Sequence, residues 1–382
     1  MGQTLSEPIT EKHTTSGEDK RFLYAASAMQ GWRVTMEDAH TTLLDISDGE
    51  GENNGSAFFA VFDGHGGKTS AEYAGKNLHH FIRKRPEFLA RQFEQAIKKG
   101  FLDTDEHLQQ DSKMIQDPSG CTAVCLLITK DNEVYCGNAG DSRCVLGSSG
   151  KAIPLSSDHK PNNEIEFRRI TEGGGFVEFG RVNGNLALSR AIGDFEFKKN
   201  PSLTPEKQVV TADPDVTKHD LSERDDFIVV ACDGIWDCMS NEEVILEVSK
   251  QIASGIPLST VCENVMELCL AKESHFGGLG CDNMTIVIIG LLNGKTKEEW
   301  VEKVKKTVDS LPPSTQQFDN KPGILSTERT TIIGQLKNEV DSDHDISSEE
   351  EYHDQQTGGS AQPNSKGRNW GKEEDEASDE YQ

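Results

Sequence analysis

The chain's most constraining feature is an unbroken apolar run, Ala57-Phe58-Phe59-Ala60-Val61-Phe62, that stops abruptly at Asp63-Gly64-His65-Gly66-Gly67. A half-buried strand would alternate polar and apolar side chains, so this run predicts a strand covered on both faces. Such a strand is a rigid mount for the carboxylate at its tip. Gly64, Gly66 and Gly67 allow a tight turn beyond it, with His65 alongside. The same grammar returns at Phe227-Ile228-Val229-Val230-Ala231-Cys232, which runs into Asp233-Gly234. Asp282 stands at the start of a third apolar run, Met284 to Leu291, so the three aspartates can meet at one sheet edge. Two covered strands each tipped with Asp-Gly point to one shared metal site.

Glu37, Asp38, Asp141 and Asp237 are further candidates for that site, and the set offers only oxygen. Oxygen ligands suit Mg²⁺ or Mn²⁺, whereas zinc more often brings histidine or cysteine. Left unpaired, so many carboxylates would repel one another, and divalent cations would cancel that repulsion. Two such cations about 4 Å apart can bridge a water, lower its pKa and aim it at phosphorus. Arg33 offers a two-pronged donor for a phosphoryl group, and His65 can serve as general acid or proton shuttle. In an extended chain Arg33 and Glu37 would share one face and Asp38 the other. Metal, arginine and histidine together point to phosphate-ester hydrolysis.

Charge and cysteine usage narrow the class. Of a formal net charge of −26, −11 falls in residues 338–382, which hold 14 acidic and 3 basic residues. The remainder is acidic too, which argues against a nucleic-acid partner. The nine cysteines are scattered, several of them inside apolar runs, and none forms a Cys-x-x-Cys pair. Neither a disulfide framework nor a zinc ribbon is indicated, and reduced thiols in the cytoplasm or nucleus are expected. No apolar run approaches the ~20 residues of a membrane span. Met1-Gly2-Gln3-Thr4-Leu5-Ser6 fits the N-myristoylation pattern at Gly2. Without a basic cluster, one acyl chain would give only a weak peripheral membrane fraction. The protein is expected to be a monomer.

Four regions follow in order: an N-terminal segment over residues 1–21, a catalytic domain over 22–292, a short helix with linker over 293–340, and a disordered acidic tail over 341–382. Within the domain, helical spacing places amphipathic helices after Gly67 and after Pro86. Residues 121–147 read as a meander of short strands with Asp141 in a tight connection. Ser240 or Asn241 caps a helix ending near Ala253, and another follows Pro257.

The chain resembles the metal-dependent protein serine/threonine phosphatases of type 2C from about Phe22 to Leu292. Seven motifs carry the likeness in order: Arg33-x-x-Met36-Glu37-Asp38; Val61 to Gly67; Ser119 to Ala123; Gly137 to Arg143; Val182 to Asp194; Cys232-Asp233-Gly234-x-Trp236-Asp237; and Cys281 to Thr285. The resemblance implies an α+β fold, a central β-sandwich of two antiparallel sheets flanked by helices in α-β-β-α layers. It implies that Asp63 bridges two metals and that the Gly64 carbonyl binds one of them. Asp233 and Asp282 would bind the other, with Glu37 and Asp38 acting directly or through waters. Arg33 would hold the phosphate of a phosphorylated protein substrate, and His65 would protonate the leaving seryl or threonyl oxygen. Asp141 and Asp237, with Asp233, match positions linked to a weaker third metal. Attack by water in one step is implied, without a covalent intermediate.

Two rival readings differ in class. Asp194-Phe195 after Gly193 looks like a kinase metal-binding tripeptide, but Glu196 replaces its glycine and no phosphate-covering loop or His-Arg-Asp loop occurs. A non-catalytic relative that binds phosphoproteins would have lost metal carboxylates, and every one is present.

Overall fold

The computed structural model describes residues 4–47, 55–115, 117–274 and 278–312. Gly2 and the acidic tail lie outside the described residues.

Both faces of the strand Ala57–Phe62 are buried, for the reason its composition implied. Ala57, Phe59 and Val61 point into the space between two sheets, while Phe58, Ala60 and Phe62 face the helices outside. This strand belongs to a five-stranded sheet that, from one edge to the other, contains Asp215–Asp220, Glu133–Ala139, Ala123–Ile128, Ala57–Phe62 and Ala39–Leu43. The opposing six-stranded sheet runs Thr4–Glu18, Phe22–Arg33, Met284–Leu291, Asp225–Ala231, Arg143–Ser148 and Lys151–Pro154. All pairings within both sheets are antiparallel.

Helices Thr69–Lys84 and Phe93–Gln109 cover the first sheet, with Ala71, Ala74, Leu78 and Ile82 of the former buried at helical spacing. Asn241–Ala253, Leu258–Cys269 and Lys297–Ser310 cover the second. The layering is therefore α-β-β-α, as the resemblance implied. Ser240 starts its helix with a full capping box closed by Glu243, which settles the choice between Ser240 and Asn241.

Three elements depart from the expectation. Residues 4–18, placed in a segment outside the domain, form its edge strand, paired with Phe22–Arg33 through two irregularities of register. Charged and hydroxyl side chains and bulges are what an edge tolerates, so this strand lacks the apolar signal of the inner ones. Residues 121–147 do not form a meander within one sheet. Ala123–Ile128 and Glu133–Ala139 form a hairpin, but Arg143–Ser148 pairs with Asp225–Ala231 in the other sheet. Gly140, at φ 126°, lies against Thr122 and carries the chain across, leaving Asp141 at the crossing.

The third departure is at the C-terminal side. Helix Lys297–Ser310, capped by Thr296 and Glu299, packs into the domain rather than following it as a linker. Its Trp300 is 1% exposed, donates from Nε1 to the Asp226 carbonyl at 2.8 Å, and fills the space left by Gly290. Trp300→Ala is expected to destabilise the protein by about 3–5 kcal/mol, read from urea unfolding. A loss under about 1 kcal/mol would show that the helix only rests on the sheet.

Candidate metal centre

The two strands tipped with Asp-Gly lie in opposite sheets and end at the same end of the sandwich. Asp63 follows Ala57–Phe62, and its carbonyl accepts from Thr122 N at 2.9 Å. Asp233 follows Asp225–Ala231 and opens the short helix Asp233–Trp236. Asp282 precedes Met284–Leu291, the neighbour of Asp225–Ala231. Gly64 and Gly234 have ordinary negative φ, so the tight turn belongs to Gly66 and Gly67, at φ 67° and 128°. Gly64 and Gly234 serve close packing instead. A Cβ on Gly64 would collide with the Glu37 carbonyl oxygen, and one on Gly234 with that of Asn283. Each glycine thus lets a second ligand-bearing stretch press against the strand tip.

Residues 34–38 follow the end of Phe22–Arg33 as a loop, so the strand alternation expected for Arg33, Glu37 and Asp38 does not hold. Asn283 clamps that loop. Its Nδ2 donates to the Gln30 and Thr35 carbonyls at 2.8 and 3.0 Å, and its Oδ1 accepts from Glu37 N at 2.9 Å. The Glu37 carboxylate accepts from Thr35 Oγ1 at 2.7 Å and Gly67 N at 3.0 Å. Asp38 Oδ2 accepts from Thr285 Oγ1 at 2.7 Å, while Asp38 Oδ1 is buried without a hydrogen-bond partner.

The ligand atoms of Asp38, Asp63 and Cys232 lie within 4.8 Å of one another. The Cys232 sulfur accepts from Thr285 N at 3.1 Å, and burial pushes its pKa well up, so it stays a thiol and the donor set is oxygen. Burial, followed by the charges of Asp233, Asp38 and Asp282, lifts the Asp63 carboxyl well above its ordinary range. Asp233 is lifted likewise by burial and by Asp141, Asp282 and Asp237. Burial also lifts Asp38, to about 7, against the opposing hydrogen bond from Thr285. Burial raises Asp282, with Arg33 opposing. An orphaned buried oxygen amid like charges is what a hard divalent cation satisfies.

The remaining residues singled out from the sequence surround this recess. Arg33 pairs with Asp282, not with Glu37 or Asp38. Asp141, 5% exposed, pairs with the Lys160 ammonium, and Asp237 stands exposed at the end of the Asp233 helix. His65 Nε2 lies 2.7 Å from Asp194 Oδ2. Burial alone would lower the His65 pKa, but the hydrogen bond and charge of Asp194, aided by Asp141 and Glu37, raise it.

A family model described as protein phosphatase 2C matches residues 22–276. The chain belongs to the protein phosphatase 2C family. It is 53% identical to protein phosphatase 2C homolog 2 of Hypocrea jecorina, over 85% of this chain and 76% of that one. It is 48% identical to the Schizosaccharomyces pombe protein of the same name, over 92% and 95%. Among solved structures, a phosphatase from Toxoplasma gondii superposes with a TM-score of 0.62 at 28% identity, covering 74% of this chain and 96% of that one. The serine-threonine phosphatase 2C of Toxoplasma gondii, at 21% identity and a TM-score of 0.63, covers 76% of this chain and 100% of its own and shows the shared fold. As a family member, the protein is a protein serine/threonine phosphatase dependent on Mg²⁺ or Mn²⁺.

Sequence reasoning assigns no separate role to Asn283, Thr285 and Lys160 and raises Asp194 only as part of a kinase-like tripeptide, yet these four hold residues that it does single out. Asn283, Thr285 and Asp194 lie inside motifs quoted above and Lys160 lies outside them all, but the role of each depends on a partner distant in the chain.

The raised carboxyls predict a pH effect of definite sign. A carboxyl with a higher pKa folded than unfolded makes the native state bind more protons, so stability falls as pH rises from about 4 through about 7. In EDTA the melting temperature should therefore decline between pH 5 and 7.5, less steeply in Asp38→Asn. Mg²⁺ should raise it more at pH 7.5 than at pH 5. Equal Mg²⁺ shifts at both values would show that these carboxylates do not receive the cation.

Proposed function

We propose that this phosphatase cleaves phosphoserine and phosphothreonine esters in proteins by direct in-line attack of water at phosphorus, with two divalent cations and no covalent intermediate. The observation that carries this reading is the recess of aspartates raised by burial and by neighbouring carboxylate charge around the unpartnered Asp38 Oδ1. Asp63, the Gly64 carbonyl, Asp233 and Asp282 would hold the pair, with Glu37 and Asp38 contributing directly or through waters. Asp141, Asp237 and Asp233 would take a weaker third cation once Lys160 gives way. When bound, the cations supply charge neutralisation and acidify a water.

The chain's own groups do the rest. Arg33, 44% exposed and paired with Asp282, can turn its guanidinium fork to phosphate oxygens without losing a buried position. His65 gives a proton to the departing seryl or threonyl oxygen, a poor leaving group unless protonated. The one thiol in the cluster, Cys232, is neutral and hydrogen-bonded, so no nucleophilic cysteine stands ready there. All nine cysteines are free, and eight are buried, which supports a cytoplasmic or nuclear location.

Hydrolysis of a phosphothreonine peptide should vanish in EDTA and return with Mg²⁺ or Mn²⁺. Asp233→Asn should lower it more than about 100-fold while leaving the protein folded, whereas full activity would remove Asp233 from the ligand set. Binding of the peptide without turnover under every cation would instead favour the phosphoprotein-binding alternative. His65→Ala should slow phosphothreonine hydrolysis by about 10²–10⁴-fold and 4-nitrophenyl phosphate far less, because nitrophenolate leaves unprotonated. Equal slowing of the two substrates would count against His65 as general acid.

A further inference from the structure

Beside the two large sheets lies a third of only three strands, Gly64–His65, Gly120–Cys121 and Ile192–Gly193, two residues each. Gly120 is its middle: His65 pairs with Gly120 on one side and Gly193 pairs with it on the other. Such short ladders add little stability by themselves. Their geometric effect is to bring the side chains of His65 and Asp194 together over Gly120. There His65 Nε2 and Asp194 Oδ2 meet at 2.7 Å. A Cβ on Gly120 would collide with the Asp194 carboxylate and lie 2.6 Å from His65 Nε2. The missing side chain at position 120 is therefore the space in which the pair forms.

Asp194 is held there against local preference. Its backbone sits at φ 51°, ψ 40°, the left-handed region that disfavours a residue with a Cβ. The surroundings enforce it. Asp194 N donates to the Ser119 carbonyl at 3.1 Å, and Gly193 N donates to Asp105 Oδ1 at 2.8 Å. Lys198 Nζ ties Asp105 to the Ala191 carbonyl, with 2.8 Å contacts to both. The Asp194 side chain is 4% exposed, and among the described residues its one side-chain partner is His65. A buried carboxylate with a single partner is costly unless that partner donates to it.

We propose that Asp194 is a positioning residue for His65: its carboxylate accepts a hydrogen bond from Nε2–H, fixes the ring's tautomer and orientation, and leaves Nδ1 to serve the leaving oxygen. This rests on the general-acid reading of His65 given above. As the P–O bond breaks, its electron pair stays on the seryl or threonyl oxygen, which takes the proton from Nδ1. His65 becomes a neutral imidazole that still donates Nε2–H to Asp194, and it regains the Nδ1 proton from solvent.

The test compares Asp194→Asn, His65→Ala and the double variant in the Mg²⁺-loaded enzyme, on a phosphothreonine peptide and on 4-nitrophenyl phosphate. Asp194→Asn should lower kcat on the peptide by about 10–100-fold with KM changed less than about twofold, and should affect the aryl ester much less. Added to His65→Ala it should cause no further loss, since both changes remove one function. Independently of any variant, ¹⁵N-histidine NMR of the wild-type protein should show the His65 Nε2 protonated. Equal losses on both substrates, additive losses in the double variant, or an unprotonated Nε2 in the wild type would each overturn the assignment to Asp194. If His65→Ala itself slows both substrates equally, the general-acid reading falls and takes this inference with it. Selectivity in His65→Ala but not in Asp194→Asn removes the inference alone.

Discussion

Asp38, Asp63, Asp233 and Asp282 share one recess at the end of the sandwich, where burial, reinforced by the charges of neighbouring carboxylates including Asp141, pushes their carboxyls toward the protonated state. Like charges in a poorly solvated space do not come together unless the scaffold compels them. Two features of the fold supply the compulsion. Asp63, Asp233 and Asp282 flank strands buried on both faces, in opposite sheets whose packing fixes their separation, and Asn283 clamps the loop that carries Asp38. The stored repulsion is what makes the recess receptive to hard cations.

Close approach of backbones is the second recurring device. Gly64, Gly234 and Gly120 all lack the left-handed conformation that usually explains a glycine. At each a neighbouring carbonyl or side chain takes the place of the missing Cβ: Glu37 at the first, Asn283 at the second, the His65–Asp194 pair at the third. Asn283 then extends the network, because its amide holds the loop bearing Glu37 and Asp38 to the strand bearing Asp282. Ligands dispersed over some 250 residues of sequence thereby act as one rigid group.

Legibility from sequence followed the strength of the local signal. Ala57–Phe62 and the strands around residues 227–231 and 286–289 were readable because strands covered on both faces carry apolar runs without alternation. Thr4–Glu18 was not, since an edge strand carries polar side chains and bulges that look like a tail. Helix Lys297–Ser310 was visible as a helix but not as part of the domain, because its attachment depends on Trp300 finding Gly290 and Asp226. The crossing at Gly140 was hidden because a short loop between strands reads the same whether they pair or separate into two sheets.

The amino-acid sequence by itself determined the covered strands, the carboxylates at their tips and the family to which these motifs belong, because buried apolar runs and Asp-Gly breaks are local properties. Only the tertiary structure decided what each acidic group meets: Arg33 against Asp282, Lys160 against Asp141, Thr285 against Asp38 and Asp194 against His65. Those pairings join residues 19 to 249 positions apart. No local propensity encodes them, since it is the packing of two sheets, and the glycines that let backbones touch, that brings them within a hydrogen bond of one another.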